Sequence, residues 1–286
     1  MSRRCLLAFT LVFLASLDAA LAQESAAPRL IVRGDDMGAA HAVNEAIIEC
    51  HKHGIQSAIE VIVPSPWFPE AVKMLKEFPT ADVGVHLALT SEWDNVKWRP
   101  LTEALSLRDH DGFFFPMIHP NKNYPGRALK ENPWKLEEIE KEFRAQIELA
   151  KKHIPQINHL SGHMGCSGFD EKVREMTLKL AAEYRLELEL DPKTIRGVSY
   201  VGPKKTAEEK IASLIKMLEG LEPGKTYLFV DHPGLDTPEM RAIHHIGYED
   251  VAEDRQGVTT AWTSAKVKEV IKKKGIELIG YGKLRK

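Results

Sequence analysis

Two adjacent carboxylates are the first side chains in this sequence that could do chemistry. Asp35 and Asp36 follow a strand-like apolar stretch in RLIVRGDDMG, residues 29–38. Neighbouring anions repel each other, and a divalent metal would offset that repulsion. Side chains alternate along a regular strand, so both can face one site only if the chain bends. Gly34 and Gly38 would permit such a bend.

Three histidines lie at comparable places near the ends of predicted strands. His86 stands in VGVHLALT, where alternate residues form a face of small and polar side chains. His163 follows a predicted strand in NHLSGHMG, and His232 follows another in FVDHPG. The carboxyl ends of parallel strands open onto one face of an α/β barrel, so these histidines should converge with the aspartates.

An aspartate and histidines on one rim indicate a divalent metal site. Carboxylate and neutral imidazole bind zinc and related ions, and three protein ligands leave positions open for water and substrate. One carboxylate would bind the metal while its neighbour accepts a proton from the attacking water. The alternative is that the aspartates cap the following helix and the histidines are hydrogen-bonded core residues.

Short apolar runs alternate with helical periodicity along the chain, which predicts a parallel sheet covered by helices. The expected fold class is a single-domain α/β structure, a (β/α) barrel that is distorted or incomplete and has seven to eight strands. A doubly wound open sheet is the alternative. The predicted strands are residues 29–34, 56–63, 82–89, 156–161, 186–190, 226–231 and 276–280.

A long irregular segment, residues 91–131, is expected to be a functional loop or a small subdomain because it exceeds an ordinary connection. It is rich in aromatic residues, which either contact a bound ligand through their flat faces or form the segment's own small core. Trp93 and Trp98 are the favoured substrate contacts. The other aromatic residues considered are Phe113, Phe114, Phe115 and Tyr124.

Residues 1–22 are predicted to be a signal peptide and residues 23–286 a single domain. Arg3 and Arg4 precede an apolar run too short for a comfortable membrane span, and the sequence ALA before residue 23 suits signal peptidase. The protein is therefore expected to be exported, to the periplasm or beyond the cell, without a membrane anchor. A net charge of −2 gives no electrostatic footprint for nucleic acid. Homo-oligomer formation is left open.

The remaining histidines and the cysteines are expected to play structural parts. His159 is predicted to support the site or the core without binding the metal itself. The pair His244 and His245 is predicted to lie on the surface, because it is far from any predicted strand end. Cys50 and Cys166 are predicted to be buried thiols, with a disulfide as the alternative.

Four sequence blocks resemble the signature of the YdjC-like carbohydrate deacetylase family. They are VRGDDMG with the following VNEAI, then GVHLALT, SGHMG and DHPG, in the family's order. The resemblance implies a deformed (β/α) barrel that uses one divalent metal ion to remove acetyl groups from N-acetylated sugars or oligosaccharides. It also implies that Asp36, His86 and His163 bind the metal. Zn²⁺ or Mg²⁺ is expected first, with Mn²⁺, Co²⁺ or Fe²⁺ as alternatives.

The same resemblance implies roles for three further residues. Asp35 would be the general base, His232 the general acid, and Arg255 would orient the carboxylates. The chain departs from the family pattern at Ser161, where the family usually has aspartate, and at Gly165, where it usually has a second histidine.

Two rival functions share parts of this pattern. A non-haem iron oxygenase also uses two histidines and one carboxylate, but the second aspartate and the HPG block argue against it. A non-catalytic carbohydrate-binding barrel would keep the fold, but the retention of Asp35 and His232 argues against loss of activity.

Overall fold

Parallel strands form a curled sheet that makes up about half of a barrel. The structure is a computed structural model that describes residues 27–188 and 194–284. The strands are β1 (Arg29–Met37), β2 (Ala58–Val61), β3 (Val83–Leu87), β4 (Ile157–Gly162), β5 (Glu187–Leu188), β6 (Ile195–Val198), β7 (Thr226–Asp231) and β8 (Glu277–Leu278).

The strand order is that of a barrel. It runs β5-β4-β3-β2-β1-β7-β6, and β8 pairs in parallel with the beginning of β1. Consecutive strands are neighbours from β1 to β5, and β7 and β6 continue on the other side of β1, whereas a doubly wound sheet would reverse its order at a switch point. The predicted α/β barrel class, distorted and incomplete, is therefore confirmed.

Amphipathic helices connect the strands and pack their buried faces against the sheet. A capping box of Thr206 and Glu209 begins one of them, and Gly275 ends another in the left-handed region, with φ of 64°. The helices are α1 (His41–His53), α2 (Phe68–Leu75), α3 (Leu136–His153), α4 (Glu171–Tyr184), α5 (Ala207–Glu219), α6 (Pro238–Arg241), α7 (Val251–Thr263) and α8 (Ala265–Lys274).

The first strand bends where the two aspartates lie. Asp36 has φ of 75° and Gly38 has φ of 101°, and the pairing of β1 with β2 shifts register between Gly34 and Met37. Aspartate tolerates this left-handed backbone because its side chain is short and polar. Of the two glycines expected to permit the bend, Gly38 has a positive φ and Gly34 does not. The place of Gly34 is explained by packing, since a Cβ there would come within 2.8 Å of Gln56 Oε1.

The segment 91–131 has little regular structure, and side chains of α3 hydrogen-bond to its backbone. Two 3-10 helices, Leu105–Leu107 and Leu129–Glu131, are its regular elements in the structure. Buried Glu142 accepts hydrogen bonds from the backbone N–H groups of Leu101 and Thr102, each at 3.0 Å. One turn along α3, Gln146 exchanges two hydrogen bonds with the backbone of Ala88, both 2.9 Å long. The helix thus fixes the segment relative to the end of β3.

Several sequence predictions concern parts of the fold away from the site. Cys50 and Cys166 are buried free thiols, as expected. The strand β6 was not predicted. The predicted signal peptide, residues 1–22, lies outside the described residues. Within residues 27–188 and 194–284, no helix combines the length and the apolar character needed to cross a membrane.

Candidate metal centre

Asp36, His86 and His163 meet at the carboxyl ends of β1, β3 and β4. Each offers one ligand atom, and these atoms all lie within 4.8 Å of one another. Asp36 Oδ1 is 3.2 Å from His163 Nδ1 and 3.6 Å from His86 Nε2. All three side chains are buried. The structure therefore brings together the three residues predicted as metal ligands.

The state of Asp36 Oδ1 fits a bound cation. It is one of the buried side-chain oxygens in the described chain that have no hydrogen-bond partner. Burying a carboxylate oxygen without a partner is costly, so such an atom calls for an explanation. A cation bound by this oxygen and the two imidazole nitrogens would satisfy it, and one carboxylate with two histidines is a known donor set for Zn²⁺ and Fe²⁺.

The other oxygen of Asp36 is held by Arg255. Its Nη2 donates to Asp36 Oδ2 at 2.8 Å, and both side chains are buried. Burial alone would raise the pKa of Asp36, but Arg255, with His232 and His163, holds that pKa well below its usual value. Asp36 is therefore an anion with one oxygen fixed by Arg255 and the other directed at the histidines.

Asp35 lies beside this centre in a two-point contact with Arg33. The Nε and Nη2 atoms of Arg33 donate to the two Asp35 oxygens at 2.8 and 2.9 Å. Asp35 Oδ2 is also 3.6 Å from His86 Nε2. The bend at Asp36 thus brings both carboxylates to the same imidazole, and the flat guanidinium fixes the Asp35 plane.

The second ring nitrogen of His86 contacts a buried polar chain. His86 Nδ1 is 2.6 Å from Ser161 Oγ, and the Ser161 hydroxyl donates to Glu60 Oε2 at 2.6 Å. Glu60 Oε1 is 2.6 Å from His159 Nε2. His159 is fully buried and stacks on Tyr281, which agrees with its predicted supporting role. Glu60 was not predicted, because a single carboxylate in the apolar run SAIEVIV carries no motif.

His163 has a carboxylate on each side. Its Nε2 is 2.9 Å from Glu92 Oε2, opposite the Nδ1 contact with Asp36. Burial alone would lower the pKa of His163, but Glu92 and Asp36 raise it to about 10. Glu92 was also missed by sequence analysis, since it lies in the irregular segment 91–131 and nothing in the pattern selects it.

His232 follows β7 and interacts electrostatically with Asp36. Its side chain is 40 % exposed, and its Nδ1 lies 3.6 Å from Asp231 Oδ1. Burial lowers its pKa, yet Asp36, Asp231 and Asp35 together raise that pKa above the ordinary value. The ring is thus charged more readily than a free histidine and remains in contact with solvent.

Trp93 and Trp98 line the same region but expose only 3 % of their surfaces. The Arg255 guanidinium lies 5.2 Å from the Trp93 ring centre, and the Trp98 ring is 6.3 Å from His163. His245, predicted together with His244 to lie on the surface, stacks on Trp93 at 5.5 Å. Both are only partly exposed, because the chain after α6 folds back over the aromatic segment.

Comparisons with known proteins extend over most of the chain. The family model described as YdjC-like protein matches residues 29–273. A carbohydrate deacetylase of Thermus thermophilus is 34 % identical over 236 residues, covering 75 % of this chain and 80 % of its own length. One from Enterococcus faecalis is 28 % identical over 273 residues, covering 90 % and 98 %.

A solved structure agrees with the fold. A protein of Enterococcus faecalis V583 named for cellobiose-phosphate cleavage superposes with a TM-score of 0.70 at 25 % identity, covering 91 % of this chain and 99 % of that one. Fold and site together define an α/β half-barrel with a carboxylate and two histidines clustered at its rim. Within that class, the chain belongs to the YdjC-like family.

Proposed function

We propose that the protein is a metal-dependent deacetylase that hydrolyses the acetamido group of an N-acetylated sugar or oligosaccharide. The observation that carries the proposal is the buried cluster of Asp36, His86 and His163, with its unpartnered Asp36 oxygen. The two curated relatives described above are carbohydrate deacetylases, which supports the substrate class.

In this proposal Asp36 Oδ1, His86 Nε2 and His163 Nδ1 hold one divalent ion. When bound, such an ion polarises the acetyl carbonyl and makes water more acidic. Zn²⁺ and Mg²⁺ are the first candidates, followed by Mn²⁺, Co²⁺ and Fe²⁺. Arg255 keeps the second oxygen of Asp36 occupied, so a single oxygen of that carboxylate remains for the ion.

Proton transfers are assigned to the two groups beside the cluster. Asp35, its plane fixed by Arg33, accepts a proton from the attacking water. His232 gives a proton to the departing amine, since an amide nitrogen leaves poorly without one. Its raised pKa favours the charged form, and its exposure lets solvent restore the proton after each turnover.

Trp93 and Trp98 are proposed to bound the substrate pocket. At 3 % exposure each can offer the sugar only an edge, so they would limit the pocket instead of forming a broad stacking surface. The protein is further proposed to act after export, in the periplasm or outside the cell. Fractionation of expressing cells, with N-terminal sequencing of the mature chain, tests that part alone.

Acetate release over a panel of N-acetylated sugars tests the function. The purified protein should release acetate from at least one sugar, lose activity on chelation and regain it with added metal. Asp35→Asn is the matched control for contaminating hydrolases. Absence of acetate release across the panel with tight sugar binding would favour the non-catalytic barrel, and turnover that requires oxygen would favour the oxygenase.

A further inference from the structure

A buried chain of hydrogen bonds leads from His86 to a carboxylate on the neighbouring strand. His86 on β3 is paired in register with Ser161 on β4, so the two side chains meet on the inner face of the sheet. Their contact and the contact from Ser161 to Glu60 on β2 are both 2.6 Å. All three residues are at most 5 % exposed. The connection therefore crosses three strands without passing through solvent.

The hydrogen-bond donors in the series His86–Ser161–Glu60 determine which ring nitrogen of His86 carries the hydrogen. A serine hydroxyl has one hydrogen to donate, and that of Ser161 goes to Glu60 Oε2. Ser161 Oγ can then only accept from His86, so Nδ1 must be the N–H of the imidazole. Nε2 is left with its lone pair, and it is Nε2 that faces Asp36 Oδ1 at 3.6 Å.

We propose that Glu60 and Ser161 are positioning residues that hold His86 in its Nδ1–H form and present Nε2 to the metal. The inference rests on the metal centre of the proposed function. Histidine ligands commonly donate their other N–H to a carboxylate or carbonyl, and loss of that partner typically weakens metal binding by about 10–100-fold. Here the carboxylate acts through an intervening hydroxyl.

The surroundings of Glu60 are built to keep it charged and in place. His159 Nε2 is 2.6 Å from Glu60 Oε1, and Arg33 Nε is 3.8 Å from the same oxygen. Gly84 lies between Glu60 and His159, where a Cβ would come within 2.6 Å of Glu60 Oε2 and would also meet the His159 ring. The space occupied by the carboxylate therefore exists because residue 84 has no side chain.

Metal titration of conservative variants tests the inference. Apo protein is prepared with a chelator, and Zn²⁺ affinity is measured by competition with a chromophoric chelator. Ser161→Ala and Glu60→Gln should bind Zn²⁺ about 10–100-fold more weakly than wild type. Ser161→Thr, which keeps the hydroxyl, should retain the affinity. Ser213→Ala removes another buried serine hydroxyl, one that donates to Pro203 far from the cluster, and should also retain it.

A spectroscopic measurement gives a second readout that general loss of stability would not mimic. In NMR spectra of protein with ¹⁵N-labelled histidine, the ring signals of His86 are those that disappear in His86→Asn. Its long-range ¹H–¹⁵N pattern should show the Nδ1–H form in metal-free wild type and lose that preference in Ser161→Ala. Finding the Nε2–H form in wild type would overturn the proposal. Unchanged Zn²⁺ affinity in folded Ser161→Ala and Glu60→Gln would overturn it too.

The same titration separates the two proposals. Wild-type protein that binds no divalent metal contradicts the proposed metal-dependent function. If wild-type protein binds Zn²⁺ tightly and Ser161→Ala and Glu60→Gln bind it equally well, the proposed metal centre stands. Only the role proposed for Glu60 and Ser161 is then contradicted.

Discussion

The strand side and the loop side of the candidate site hold their residues by different means. On the strand side, His86 and Ser161 are partners in the parallel pairing of β3 with β4, so backbone hydrogen bonds fix their spacing. On the loop side, Glu92 and Trp93 belong to a segment with little regular structure, which depends on side chains of α3 for its position. In the proposed function, the residues that do the chemistry would thus lie mainly on the sheet. Those that select the substrate would lie in the loops, where sequence changes are tolerated more readily.

The strand side should give the largest effects. Asp36→Asn should lose metal because an uncharged amide oxygen is a poorer ligand, and asparagine tolerates the left-handed backbone at this position. Asp35→Asn should keep the metal but lose turnover by roughly 10²–10⁴, the usual contribution of a positioned general base. Metal content and single-turnover acetate release are measured side by side.

The two aspartate variants also control each other, because both changes preserve shape. A metal-free Asp35→Asn protein would reverse the assigned roles. Wild-type rates in both variants would mean that the pair is only a turn and a helix cap.

Two histidine variants compare the contributions of the strand side and the loop side to the proposed metal centre. His86→Ala on the strand side and His163→Ala, whose Nε2 is held by loop residue Glu92, should both bind metal far more weakly than wild type while remaining folded. Elemental analysis of protein purified with metal, together with circular dichroism, checks this. Equal metal content in wild type and both variants would contradict the ligand assignment.

Substitutions of the loop tryptophans should have smaller effects on turnover. Trp93→Ala and Trp98→Ala should raise KM if the rings bound the substrate pocket, and burial predicts a stability loss of about 3–5 kcal/mol as well. Trp98→Phe keeps most of the ring but removes the N–H that donates to Thr90 O at 2.8 Å. A loss of stability with KM unchanged per folded molecule would assign both rings to the protein core alone.

The smallest expected effect is a change in the pH dependence of the free energy of unfolding when Glu60 is replaced by glutamine. Burial alone would raise the pKa of Glu60, but His159 and Arg33 lower it from 4.5 to about 2. A pKa lower in the folded than in the unfolded state stabilises the protein above pH 4.5, and this contribution is lost as pH falls toward 2. The free energy of unfolding of metal-free wild type should therefore fall more than that of Glu60→Gln between about pH 6 and about pH 3. Parallel urea titrations measure the difference, and equal pH dependence in the two proteins would contradict it.

The clustering of Asp36, His86 and His163 was predictable from the sequence because strand ends in a parallel barrel share one rim. Each of them follows or ends an apolar run, and this is enough to bring them to the same face. Their supporting residues were not predictable in the same way. Glu60 reaches Ser161 only through the register of neighbouring strands, and Glu92 reaches His163 only through the path of an irregular segment.

Local backbone geometry was predicted only in part. The bend between Gly34 and Gly38 was predicted, but the left-handed conformation of Asp36 within it was not. From sequence alone, a positive φ is expected at glycine first, because other residues adopt it less often. Aspartate can replace glycine here because its carboxylate gains fixed partners, with Arg255 on one oxygen.

The central place of β1 has a consequence for biosynthesis. This strand is synthesised before β7 and β8, but one of its edges pairs with β7 from Arg29 to Gly34, and its beginning pairs with β8. A nascent chain that stops before residue 226 would therefore expose an unpaired edge of β1 beside the two aspartates, and such edges invite wrong pairing. Completion of the site must wait for nearly the whole chain to be synthesised. Protease resistance of the Asp35–Asp36 region in ribosome-stalled chains should accordingly appear only after β7 has emerged from the exit tunnel.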